Sequence, residues 1–229
     1  LVFLTDHAIP VREDWLATLL APLADPMVAG SYGGQLPWPD AAPMERYFLS
    51  YMYGSEPRVQ ERGARPINID VTWFSNVNGA VRRDVWQRFP FSETVVMSED
   101  QVWTKEVLAA GFRVVYVPDA AVFHSHNYSL VSAFRRFFDS GMSSHDSFLP
   151  EGGGGLAYLF RYGLRYLRGE VRFLVRHGYA RWLPYAMVYE ATKFLGLAAG
   201  RLHRFFPLRL KARLSHHLYL RARNLGQPE

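Results

Sequence analysis

Apolar positions in this chain come in short continuous runs at the front and in helical stripes toward the end. Leu1–Leu4 are apolar without a break and lead into Thr5, Asp6 and His7, which predicts a short buried strand over residues 1–5. In "EDWLATLLAPL" (13–23) acids come first and apolar residues follow at helical spacing, so a short helix is expected. "VAGSYGGQLP" predicts a strand broken by glycines where backbone must come close to something. Residues 42–53 read as helix and 54–66 as a Gly/Pro/Arg-rich loop. "VTWFSNVNGAVRRDVW" predicts a strand, a turn at Asn78-Gly79 and a short helix. "SEDQVWTKEVLAAG" is the clearest helix, with Ser98 and Gln101 as a capping box and Gly111 as its stop. "FRVVYVP" and "AVFHSH" read as two strands split by Pro118-Asp119, and helix resumes over 129–142.

Alternating strands and helices in the front half predict an α/β fold with a mostly parallel sheet and flanking helices. Ligands in such sheets bind beyond the carboxyl ends of the strands, where both Asp6-His7 and His124-Ser125-His126 fall. "PEGGGG" at 150–155 is the linker candidate, which divides the chain into 1–149, the linker, and a basic helical region over 156–229.

Charge sharpens that division. Residues 1–150 carry 12 Lys+Arg against 17 Asp+Glu, and residues 151–229 carry 14 against 4. An acidic front suits cations or proton transfer, and a basic tail suits an anionic surface. In "LAYLFRYGLRYLRGEVRFLVRHG", Arg161, Arg165, Arg168, Arg172 and Arg176 recur at spacings of three or four, which places them on one helical stripe. Such a helix either lies in a membrane interface or packs with a solvated arginine face. A hydrophobic fraction of 49% excludes global disorder, and the absence of cysteine excludes disulfides and thiolate metal sites. The chain shows no signal-peptide pattern and no uninterrupted apolar run of about 18 residues, so no spanning helix is expected.

The candidate chemistry rests on few groups. Asp6 and His7 can share one ion only if the strand has already ended, because neighbours on a strand face opposite ways; the plainer reading is an Asp capping a turn beside a half-buried His. His124 and His126, two apart, share one face and suit joint coordination. Imidazole and carboxylate without thiolate favour manganese, with magnesium as the alternative. Glu99 and Asp100 open a helix, where acids either complement the dipole or hold an ionised general base. Trp73, Trp86 and Trp103 read first as core.

Together, "FLTDHAIP" (3–10), "GGQLPWPDAAPMER" (33–46), "SNVNGAVRRDVW" (75–86), "SEDQVWTKEVLAAGFRVVYVPDAAVFHSHNYS" (98–129) and "FRRFFDSG" (134–141) resemble the family 2 glycosyltransferases of the GT-A fold, in their rhamnosyltransferase-like branch. The resemblance implies an inverting transfer of a sugar, with dTDP-rhamnose as a candidate donor, to a hydroxyl of a growing, lipid-linked polysaccharide. It implies Asp100 as the base with Glu99 beside it, a metal held among Asp6, His7, His124 and His126, and substrate contacts from Asn76, Asn78, Gly79, Trp103, Arg135 and Arg136. It also implies a cytoplasmic protein, peripheral on the inner face of the plasma membrane. Nucleic acid is not an expected partner, since the front is acidic and no aromatic-and-basic RNA motif is present.

Two departures accompany the resemblance. The branch carries Thr-Gln-Asp-Ala where this chain has Thr5-Asp6-His7-Ala8, so His7 takes the place of a metal-binding acid. The family's first 80–100 residues, which carry the nucleotide pocket, have no counterpart before Leu1. The expectation is therefore a chain holding the acceptor, metal and base parts, with an exposed apolar edge on its first strand. The alternative is a truncated, non-catalytic module that binds a membrane or acceptor.

Overall fold

The structure, a computed structural model, describes residues 1–63, 67, 71–148 and 156–217. The expected linker at 150–155 and the last twelve residues lie outside the described residues. The chain forms two compact units, one of Leu1–Ser92 with Glu99–Asn127 and the other of Glu93–Ser98 with the chain from Tyr128 onward.

The first unit is built on a six-stranded sheet of β1 (Val2–Leu4), β2 (Ile9–Pro10), β3 (Val28–Leu36), β4 (Arg58–Gln60), β5 (Asn78–Val81) and β6 (Arg113–Phe123). Strand order is β1-β5-β3-β6-β2, and β4 pairs with β6. The α/β class holds, and the sheet is mixed. Its longest pairing, β3 with β6, is parallel, and the shorter pairings are antiparallel. Because β1 and β3 both run antiparallel to β5, strands β1, β3 and β6 point the same way. Their carboxyl ends therefore share one edge of the sheet, as the sequence required of its histidines.

Local chemistry explains where these strands depart from expectation. β1 is an edge strand and is not buried: Val2 is 43% and Leu4 41% exposed. Asn78-Gly79 makes no turn; it opens β5, with Leu4 opposite Asn78 and Phe3 opposite Gly79. Glycine is needed there for room, since a Cβ on Gly79 would stand 2.9 Å from the Phe74 ring and from the Ser75 carbonyl. The two runs on either side of Pro118-Asp119 are one strand, β6, whose register against β3 jumps from Gly33↔Val117 to Gln35↔Val122. That bulge absorbs the proline, which has no N–H to give a ladder. At its inner side a Cβ on Gly33 would meet the Ala120 carbonyl oxygen at 1.9 Å, so the close approach inferred from the glycines is real. The 54–66 loop contains a strand, β4, where Arg58 lies 4.5 Å over the Tyr116 ring.

Helices α1 (Trp15–Leu20), α2 (Pro43–Met52), α3 (Arg83–Arg88) and α4 (Glu99–Ala109) cover this sheet. Helix α4 ends as a Schellman motif: Gly111 has φ 91°, its N–H donates to Leu108, and the Phe112 N–H donates to Val107. Its start differs from the expected capping box. Ser98 adopts φ 66° rather than an extended cap conformation, and the Gln101 N–H donates to the Asp100 carboxylate at 2.8 Å. The core holds Tyr32, Phe74, Trp103, Val107, Leu108 and Tyr116, all wholly buried or nearly so.

The second unit is helical: α5 (Leu130–Phe148), α6 (Leu156–Arg176), α7 (Leu183–Arg201) and α8 (Leu208–Leu214). Helix α5 belongs to it, although the sequence assigned residues up to 149 to the front domain. Glycines explain why, since α5 and α7 meet at Gly141, Gly196 and Gly200, where any Cβ would strike backbone of the other helix. Wholly buried Asp139 on α5 accepts the N–H groups of His216 and His217, at 2.8 and 3.2 Å, just past α8.

Candidate active site

Three histidines converge at the carboxyl edge of the sheet. β1 stops at Leu4, and a turn closed by the Ala8 N–H to Thr5 carries His7 across that edge. β2 then pairs with Val122 and Phe123, which pins His7 beside the exit of β6. His124 and His126 follow β6 directly. Their segment is laced to the chain around α2: the Trp38 N–H donates to Ser125 Oγ, the Ala42 N–H to Asn127 Oδ1 and the His126 N–H to Glu45 Oε1. The ring centres of His7, His124 and His126 lie 4.6–5.0 Å apart.

Hydrogen bonds fix which nitrogens face the shared space. The carboxylate of Asp6 accepts from His7 Nδ1 at 2.7 Å, leaving Nε2 as the lone-pair nitrogen. Gln35 does the same for His124. Its amide nitrogen donates to the Tyr53 hydroxyl and to Ser75 Oγ, so its carbonyl faces His124 Nδ1 at 2.8 Å. His7 Nε2 and His126 Nε2 stand 3.4 Å apart. Metal bonds of about 2.0–2.1 Å give a tetrahedral ligand–ligand edge near 3.4 Å, so this spacing fits one small cation. Asp6 stands beside the cluster: its side chain is 94% exposed and its carboxyl is held below the usual range by the hydrogen bond from His7.

The acids lie on the same network. Asp100, half-buried at the start of α4, accepts the Asn76 N–H at 3.2 Å and the Gln101 N–H at 2.8 Å. The Asn76 side chain donates to Glu99 at 3.1 Å. Asn76 follows Ser75, so bonds and one peptide link run from His124 through Gln35 and Ser75 to Asp100. Burial is the main cause that raises the Asp100 carboxyl to about 7; the neighbouring Glu99 charge adds to it, and the backbone N–H groups of Asn76 and Gln101 oppose it. A carboxyl with that value can both hold and release a proton near neutrality.

The other candidates divide. Asn78 is wholly buried, accepts from Trp15 Nε1 and donates to the carbonyls of Gly34 and Ala120, bonds that tie the sheet together. Gly79 is buried in β5 under Phe74, and Trp103 is 0% exposed in the core. A buried tryptophan of this kind typically holds about 3–5 kcal/mol of stability, which accounts for it without a sugar. Arg135 and Arg136 lie on α5 in the helical unit, with Arg136 5.6 Å over the Tyr128 ring. Gln35, Tyr53 and Ser75, which orient His124, were not among the sequence candidates. The hint was Gln35 itself, a long polar side chain near the end of a buried strand.

No family model matches the chain. Two curated proteins do. It is 31% identical over 211 residues to the O-antigen chain rhamnosyltransferase RfbN of Salmonella typhimurium, a match covering 91% of this chain and 66% of that protein. It is 30% identical over 210 residues to the O-antigen chain rhamnosyltransferase WbaN of Salmonella anatum, covering 90% of this chain and 65% of that protein. The chain thus spans just under two thirds of the length of these relatives. Nine tenths of this chain's own residues are similar to O-antigen chain rhamnosyltransferases.

Proposed function

We propose that this protein transfers a sugar, with inversion, from a nucleoside diphosphate donor to a hydroxyl of a lipid-linked glycan, and that rhamnose is the first donor sugar to test. The observation that carries the reading is Asp100, a carboxyl raised to about 7 and joined, through Asn76, Ser75 and Gln35, to His124 of the three converging imidazoles. Asp100 takes the proton of the acceptor hydroxyl as that oxygen attacks the anomeric carbon. The Asn76 and Gln101 N–H groups aim its two oxygens, and Glu99 keeps it basic. Positive charge developing on the sugar ring in an oxocarbenium-like transition state is stabilised by the same acids.

His7, His124 and His126 would hold a divalent ion, whose contribution is to neutralise the departing diphosphate. Their donor set is three neutral nitrogens, which suits manganese or zinc and suits magnesium poorly. The protein expressed from its full coding sequence is to be incubated with a panel of nucleotide sugars and membranes carrying lipid-linked glycan. Manganese-dependent release of nucleoside diphosphate with transfer of label is expected. Failure with every donor, alongside intact membrane binding, would make the chain a binding module instead.

The acceptor's lipid would keep the protein at a membrane surface. No helix among the described residues is long and apolar enough to cross one. On α6, however, Arg161, Arg165, Arg168, Arg172 and Arg176 are all exposed on one stripe, flanked by exposed Phe160 and Val175. Tyr166, Glu170 and Leu174 are the buried side. We assign this stripe to the anionic inner face of the plasma membrane. At about 1 kcal/mol per basic residue, changing Arg165, Arg168 and Arg172 to Gln should weaken cosedimentation with phosphatidylglycerol vesicles roughly 100-fold at low salt. Equal binding by the triple variant would reject the assignment.

A further inference from the structure

The helical unit contains a second convergence of ligating side chains. His145 and Asp146 lie near the end of α5, and His203 opens the 3₁₀ turn His203–Phe205 after α7. Glycines press these helices together: a Cβ on Gly200 would come within 2.1 Å of the Phe138 carbonyl oxygen, and one on Gly141 within 2.3 Å of that of Leu197. Helices in such backbone contact cannot slide, so side chains just beyond the contact are fixed relative to each other. Arg201 Nη2 donates to Ser144 Oγ at 3.3 Å and ties the same junction.

His203 is 7% exposed, and its Nδ1 donates to the Gly200 carbonyl at 2.9 Å. That bond places the proton on Nδ1 and turns the Nε2 lone pair toward Asp146 Oδ1, 3.4 Å away. His145 Nδ1 is 2.9 Å from the same carboxylate oxygen, and the two rings stand edge to face with centres 5.3 Å apart. One ligand atom from each residue lies within 4.8 Å of the others.

The 3.4 Å gap is informative. A charge-assisted hydrogen bond closes to about 2.7–2.9 Å, as the Lys193–Glu190 and His7–Asp6 pairs of this chain do at 2.7 Å and the His145–Asp146 pair does at 2.9 Å, whereas His203 and Asp146 stay 3.4 Å apart. Two acceptors held farther apart, yet facing, match a tetrahedral edge around an ion with bonds of about 2.0–2.1 Å. We propose that His145, Asp146 and His203 bind a divalent transition metal, zinc by preference, that clamps the end of α5 to the turn after α7. Two imidazoles and one carboxylate leave a fourth position for water, and such a set binds zinc more tightly than manganese. The clamp shares no residue with the His7 cluster and does not rest on the sugar-transfer reading.

The test uses the full chain, stripped with chelator and titrated with zinc, with bound metal counted by elemental analysis after gel filtration. Two equivalents are expected for the unaltered protein. Asp146→Asn and His145→Gln should each lose one equivalent together with part of the zinc-induced rise in Tm, and His124→Ala should lose the other. Asp146 and His145 are partly exposed, so both variants leave the buried His203 packing intact. Asp146→Asn and His145→Gln variants that bind as much zinc as the unaltered chain would overturn the site. So would a single equivalent that disappears with His124→Ala.

Discussion

Asp100→Asn is expected to slow sugar transfer by about 10²–10⁴-fold, the usual contribution of a positioned base, and to make the protein more stable above neutral pH. Both effects follow from the raised carboxyl. In the unaltered protein the rate of the proposed transfer should climb with pH through an apparent value near 7, as Asp100 ionises, and the residual rate of the variant should lack that limb. For stability, the folded value of about 7 lies above the unfolded value near 3.8, so between them the folded chain holds a proton that the unfolded chain has lost. Stability from this group is complete below the unfolded value and is lost as pH rises through 7. Asparagine resembles the protonated acid in carrying no charge, so its folding has no proton linkage at this position. The two proteins should therefore melt alike below about pH 3.8, separate in the variant's favour as pH rises, and differ most above pH 7. Full activity in the variant, or a flat profile from pH 6 to 8, would remove Asp100 from the role of base.

The candidate site's geometry was legible in the sequence where its signals were local. His124 and His126 sit two apart after an apolar run, Glu99-Asp100 open a helix, and Gly111 closes it; each was readable within a dozen residues. What failed depended on partners far along the chain. Asn78-Gly79 carries the strongest short-range turn signal, yet Phe3 and Phe74 claim it for a strand. Val2 and Leu4 look like core residues, but they fall on the sheet's edge, an exposure that the resemblance rather than the hydropathy pattern anticipated. Pro118 looks like a break, but the bulge opposite Gly33 and Gln35 accommodates it. Gln35 could not be singled out, because its importance lies in a bond to a residue 89 positions away. The join of α5 to the helical unit was hidden for a similar reason, since it depends on glycines of α7 meeting the backbone of a helix more than fifty residues earlier.

His124→Ala is expected to produce the largest loss of metal binding at the sheet edge, because it removes the most buried of the three imidazoles, at 6% exposure. Outer partners of a metal ligand typically contribute 10–100-fold in affinity, so loss of the ligand itself should exceed about 100-fold, read by calorimetry with manganese in the Asp146→Asn background. Gln35→Leu should fall in the 10–100-fold range, since it leaves His124 in place but frees it to rotate and to take the wrong tautomer. Asp6 separates two readings of the first motif. If Asp6 only orients His7, Asp6→Asn keeps an oxygen for the His7 Nδ1–H and costs little, whereas Asp6→Ala costs about as much as Gln35→Leu. If the carboxylate itself held the ion, Asn and Ala would be equally damaging. The 94% exposure of Asp6 and its 2.7 Å bond to His7 favour the orienting role. Unchanged manganese affinity in a folded His124→Ala variant would dismantle the three-histidine site altogether.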